Sequence, residues 1–106
     1  RLDFAKLARL DFEAPDEDRF PSIRLARLAL QRGGVQGAIL NAAEETAFHA
    51  FVDGKIGFLH MADTVESVME RMNDGRPADT IDAILAADAQ ARAYAEDVIR
   101  QKQKAA

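Results

Sequence analysis

Apolar residues recur at helical period in four separate stretches of this chain, and glycine or proline interrupts the pattern between them. A segment with a 3.6-residue apolar period must bury one face against another element. Short connections make consecutive helices antiparallel neighbours. The expected fold class is therefore all-α: a small antiparallel helical bundle of four to five helices, with a short extended N-terminal arm.

The first helix is expected over 21–31. Ile23, Ala26 and Leu30 form its stripe, Leu25, Leu28 and Ala29 widen it, and Arg24, Arg27 and Gln31 face away. Pro21 suits the first turn, where its missing N–H is no loss. Gly33 and Gly34 stop the helix. A second helix is expected over 35–52, with Leu40, Ala43, Ala47 and Phe51 inward. Asn41 and Glu44 have the spacing of a capping box, which would restart this helix at Asn41. "KIGFLH" reads as a connector. A third helix over 61–72 carries Met61, Val65, Val68, Met69 and Met72 on one face. After "NDGRP" a short helix is expected over 79–85. Asp88 then caps a last helix to Lys102, with Ala91, Tyr94, Ala95 and Val98 inward. Leu28, Leu40, Phe51, Val68, Met69 and Tyr94 are the expected centre of the core.

The start of the chain follows a different rule. In "RLDFAKLARLDF", Leu2, Phe4, Leu10 and Phe12 alternate with polar neighbours, a strand pattern. Two short strands without a third partner are marginal in water, so this arm is expected to pair with something outside the chain. "EAPDEDRFP" holds two prolines and four acids (Glu13, Asp16, Glu17, Asp18) and reads as a linker. The expected division is an arm and linker over 1–18 and a helical domain over 19–106.

Composition narrows the function classes. Fourteen basic residues stand against eighteen acidic ones, and the net charge is -4. The basic residues are scattered, so no nucleic-acid partner is expected. No cysteine is present, which removes disulfides, thiolate metal sites and cysteine nucleophiles and fits a reducing, cytoplasmic setting. No apolar run reaches the ~20 residues of a membrane span. The chain opens on Arg1 rather than methionine, as expected of a piece of a longer protein.

The stretch "LNAAEETAFHAF" poses the sharpest chemical question. Glu45 and His49 stand one helical turn apart, within a polar file Asn41–Glu45–His49–Asp53. A carboxylate-bridged di-metal bundle needs Glu-x-x-His, repeated on a partner helix. A zincin needs two histidines four apart. Neither pattern occurs, so the file reads as a solvated helix face with a weak Glu45–His49 pair. His60 sits in a connector without further ligands. Met61, Met69 and Met72 read as core filler. Gly33, Gly34 and Gly37 lack a phosphate-loop pattern, Ser22 and Ser67 lack a triad context, and Asp16–Asp18 lacks calcium-loop spacing.

The blocks of the chain taken together do resemble a known family. They are "LDF" at 2–4, "RLDFEAPDEDRFP" at 9–21, "IRLARLALQRGG" at 23–34, "LNAAEE" at 40–45, "AF" at 50–51, "IGF" at 56–58 and "DAILAADAQAR" at 82–92. In that order they resemble the C-terminal part of the 1-deoxy-D-xylulose-5-phosphate reductoisomerase family. Glu44 replaces the second asparagine of the family's usual Leu-Asn-Ala-Ala-Asn-Glu, and His60 stands where an acidic residue is frequent. The resemblance implies a parent enzyme with dinucleotide-binding, catalytic and C-terminal helical domains. It implies rearrangement and reduction of the substrate to 2-C-methyl-D-erythritol 4-phosphate, a step of non-mevalonate isoprenoid synthesis. NADPH and a divalent cation, magnesium or manganese, would serve that reaction, in a homodimer. The family's metal, phosphate and flap residues precede the segment matched here. No catalytic, cofactor-binding or metal residue is therefore carried over, and this piece is expected to support a catalytic domain without turning over substrate alone. The rival reading is a free-standing helical module that binds another protein through its outer face.

Overall fold

The structure is a computed structural model that describes residues 21–105. The arm and linker expected over 1–18, with Leu10 and Phe12, lie outside the described residues. Four helices follow in order: α1 (Pro21–Arg32), α2 (Gln36–Val52), α3 (Phe58–Arg71) and α4 (Ile81–Ala105). They form an all-α bundle in which α2 packs against each of the other three. Helix α4 packs on α2 and α3, and α1 packs on the same two helices but not on α4.

The core is built of different side chains in different places. Val65, Val68, Met69 and Met72 line the inner face of α3, the stripe read from the sequence. Alanines form a seam through the buried faces of α2 (Ala42, Ala43, Ala47 and Ala50) and α4 (Ala87, Ala91 and Ala95), two helices that pack together. Small side chains let two helix axes approach closely. Leu25, Ile39, Ile56 and Ile99 fill the remaining space. Two buried threonines satisfy themselves within their helices: Thr46 Oγ1 donates to the Ala42 carbonyl and Thr64 Oγ1 to that of His60, both at 2.8 Å.

The connections are specified by glycine. Helix α2 ends in a Schellman turn. Gly54 takes φ +75°, its N–H donates to Phe51 O, and the Lys55 N–H donates to Ala50 O. Gly34, with φ +56°, lies where the α1–α2 turn crosses the segment leading to α4. A Cβ there would stand 2.2 Å from the Arg76 carbonyl oxygen. That same oxygen accepts the Val35 N–H at 3.2 Å, so the crossing is held by backbone.

Several expectations are corrected. Helix α2 runs unbroken through Asn41, because no glycine or proline interrupts it there and Leu40, Ala42 and Ala43 around it have high helix propensity. The short helix expected over 79–85 and the last helix are one element. Thr80 caps it, with Oγ1 accepting the Ala83 N–H at 3.0 Å. Asp88 lies inside that helix and pairs with Arg92 one turn on. Helix α3 starts at Phe58 rather than Met61, and this places His60 on a helix. On α1 the buried residues are Leu25 and Ala29, whereas Ile23 and Leu30 are exposed. The apolar arc of α1 is broader than the face it buries, and its phase is set across the interface: Arg24 pairs with Glu66, and Arg32 with Glu70 at 3.0 Å. Phe51, expected at the centre, is 36% exposed. It occupies the last turn of α2, beyond the alanine seam, and meets Phe58 edge-on with ring centroids 5.8 Å apart. Leu28 and Tyr94 are only partly buried against the core.

Candidate functional site

Helix α2 carries the polar file on its outer side. Asn41, Glu45, His49 and Asp53 are all exposed there. His49 Nε2 lies 4.0 Å from Glu45 Oε1. The closer partner of Glu45 comes from α4: Arg92 Nη1 stands 3.4 Å from Glu45 Oε1. Arg92 Nε also donates to Asp88 Oδ1 at 2.7 Å. Arg92 thus bridges two carboxylates, which hold its guanidinium even more firmly protonated than usual. The arrangement ties α2 to α4.

A metal ion needs three or more converging donors. Among the described residues no group of three histidine, aspartate or glutamate side chains is placed to hold one. His60, on α3, contributes its carbonyl to Thr64. Three other acids of the bundle are engaged in helix-to-helix pairing. Glu66 and Glu70 meet α1 arginines, and Asp97 accepts from Arg71 Nη1 at 3.2 Å. Arg71 also stacks 5.1 Å over the Tyr94 ring. The described donor set therefore does not fit a divalent cation. It does not fit a dinucleotide phosphate either, because the positive-φ glycines sit in turns rather than in a strand-to-helix phosphate loop.

The feature that periodicity missed is apolar. An open groove of about 420 Å³ lies between α1, α2 and α3, lined by Pro21, Leu25, Phe48, Phe58, Leu59 and Val65 among others. Phe48, Phe58 and Leu59 are all more than half exposed. Glu44 stands at the rim, and burial against the groove raises its carboxyl above the usual glutamate range. The sequence signal was available: Phe48, Phe58 and Leu59 flank the Gly54 turn at positions that belong to no core stripe. No helix of the described residues is long and apolar enough to cross a membrane.

Comparison with known proteins places the fold. Residues 1–94 match the family described as DXP reductoisomerase C-terminal domain, and the chain belongs to that family. It is 70% identical over all 106 residues to 1-deoxy-D-xylulose 5-phosphate reductoisomerase of Agrobacterium fabrum, covering 27% of that protein. The corresponding protein of Rhizobium rhizogenes is 65% identical, again over the whole chain and 27% of the relative. A solved structure of 1-deoxy-D-xylulose 5-phosphate reductoisomerase from Zymomonas mobilis in complex with NADPH superposes with a TM-score of 0.75 at 42% identity. That match covers 92% of this chain and 26% of the other. The chain thus spans about a quarter of the length of the relatives it matches.

Proposed function

We propose that this chain is the C-terminal supporting part of an NADPH-dependent reductoisomerase. The parent would convert 1-deoxy-D-xylulose 5-phosphate to 2-C-methyl-D-erythritol 4-phosphate with magnesium or manganese, as a cytoplasmic homodimer. Identity of 70% to the Agrobacterium fabrum reductoisomerase across the whole chain carries this reading. Residues 1–18 form the connection to the catalytic domain, and residues 19–106 form the helical domain. The helices contribute no catalytic, cofactor-binding or metal-ligating side chain. Several of their acids and arginines join α1 to α3, α2 to α4 and α3 to α4. The domain's partner is the catalytic domain of the same polypeptide, with no nucleic acid and no membrane involved.

An NADPH-oxidation assay with substrate and magnesium or manganese tests the proposal. The longer polypeptide that contains this chain should turn over, and the 106-residue chain alone should not. Turnover by the 106-residue chain that disappears with Glu45→Gln or His49→Ala would refute the supporting role.

A further inference from the structure

Helix α1 is held to the bundle differently from the other helices. It buries only Leu25 and Ala29, whereas α2 buries eight residues and α3 four. It has no packing contact with α4. Charge supplies much of what remains. Arg24 pairs with Glu66 of α3, and Arg32 Nη2 lies 3.0 Å from Glu70 Oε1. Arg32 Nη1 also donates to the Met69 carbonyl at 3.3 Å. The Glu66 and Glu70 side chains are 44% and 59% exposed, so both pairs are open to screening by salt.

The C-terminal end of α1 is built as a hinge. Gly33 and Gly34 take φ +65° and +56° in succession. Beyond them the chain is fixed: Val35 is buried, and its N–H donates to the Arg76 carbonyl at 3.2 Å. Gly33 itself has open space around it. Rotation at Gly33 therefore moves α1 and leaves α2 in place. An element with few buried contacts opens locally at a lower free energy than the whole fold. We propose that α1 is an ionic latch, hinged at Gly33, that closes one wall of the apolar groove. Pro21, Ser22 and Leu25 form that wall, and Ala47 of α2 and Val65 of α3 also line the groove and are buried. Release of Arg24 and Arg32 from the two glutamates swings the wall away and uncovers Ala47 and Val65. The alanine seam, Met69 and Ile99 hold α2, α3 and α4 together throughout.

Amide hydrogen exchange of the 106-residue chain tests the latch. After correction for intrinsic rates, residues 28–32 should exchange about tenfold or more faster than residues 43–47 of α2. Glu66→Gln with Glu70→Gln removes both pairs. It should accelerate α1 about two- to fivefold for each pair lost and leave α2 and α4 unchanged. At 1 M salt, where the Debye length is about 3 Å, the unmodified chain should approach the double variant. Asp97→Asn is the control, because it removes the Arg71–Asp97 pair, likewise half-exposed but between α3 and α4. It should leave the α1 rates as they are. One common opening rate for all four helices would overturn the proposal. So would unaltered α1 rates in the double variant, equal acceleration of every helix there, or an α1 response to Asp97→Asn of the same size.

Discussion

Gln36, the first residue of α2, donates from Nε2 to the carbonyl of Met72, just past the end of α3, at 2.8 Å. The residue is 2% exposed, and its Oε1 has no partner among the described residues. One buried amide thus joins the start of one helix to the end of the next, beside the Val35–Arg76 backbone bond. Gln36→Ala leaves the Met72 carbonyl buried and unsatisfied, at about 1–3 kcal/mol. Urea unfolding of the 106-residue chain should show the unfolding free energy falling by that amount, through a lower midpoint at unchanged slope. No change would mean that water already serves the carbonyl.

The same crossing gives a contrast between two glycines. Gly34→Ala demands φ +56° of a residue with a Cβ and places that Cβ 2.2 Å from backbone oxygen. Backbone cannot give way as a side chain can, so a loss of several kcal/mol is expected, out of the ~5–15 that a domain has in all. Gly37, in the first turn of α2, has open space around it and an ordinary helical φ. Gly37→Ala should stabilise by about 0.5–1 kcal/mol. Thermal melts of the two variants should move in opposite directions.

Met69 and Phe51 test the corrected core. Met69 is fully buried between α3 and its neighbours, whereas Phe51 is partly open at the tip of α2. Met69→Ala should lose about 2–5 kcal/mol, the range for a buried large-to-small change. Phe51→Ala should lose less than Met69→Ala, because much of its surface never leaves water. An equal or larger loss for Phe51→Ala would place that ring back in the core.

Glu44 predicts a pH dependence. Burial disfavours its charged form, so its folded pKa lies above the unfolded one. A carboxyl of this kind contributes most to stability when protonated, below its unfolded pKa. The contribution is lost as pH rises from the ordinary glutamate value through the raised folded one. Glu44→Gln should therefore stabilise at about pH 7 and be neutral at about pH 3. The side chain is partly solvated, so the gain should stay within about 0.5 kcal/mol. Melting temperatures at the two pH values would read the difference; a loss at neutral pH would show that the ionised carboxylate has a favourable partner.

How much of this was legible in the sequence depended on how one-sided each helix is. The α3 stripe from Val65 to Met72 was readable because its other face is charged. Helix α2 carries apolar or small residues nearly all round, and the apolar arc of α1 is broader than the face it buries, so periodicity could not fix their phase. The α1 phase rests on Arg24–Glu66 and Arg32–Glu70, contacts between residues about forty positions apart. Likewise, Asn41 and Asp88 have good capping chemistry, but capping matters only where a helix ends. Continuous alanine-rich sequence carries both helices straight through. The groove was hidden for a further reason: Phe48, Phe58 and Leu59 come from both sides of a turn and meet only after the bundle closes.

Arg92 decides what the polar face of α2 can do. It holds Glu45 at 3.4 Å and Asp88 at 2.7 Å, and His49 approaches Glu45 only to 4.0 Å. All four side chains are substantially exposed, and exposed ion pairs contribute about 0.2–1 kcal/mol. Arg92→Met, which keeps the aliphatic stem, should lower stability by no more than that. The loss should shrink as salt is raised, because the Debye length falls to about 3 Å at 1 M. The same substitution frees two carboxylates near an imidazole. If the file were a disguised metal site, zinc affinity should then rise sharply. It should not, because Glu45 and His49 share one helix face and no second histidine converges on them. Isothermal titration of zinc or manganese into the unmodified chain should show no site tighter than high micromolar, and Arg92→Met should leave that result unchanged. A micromolar site in either protein, abolished by His49→Ala, would turn this helix face from a brace into a ligand set.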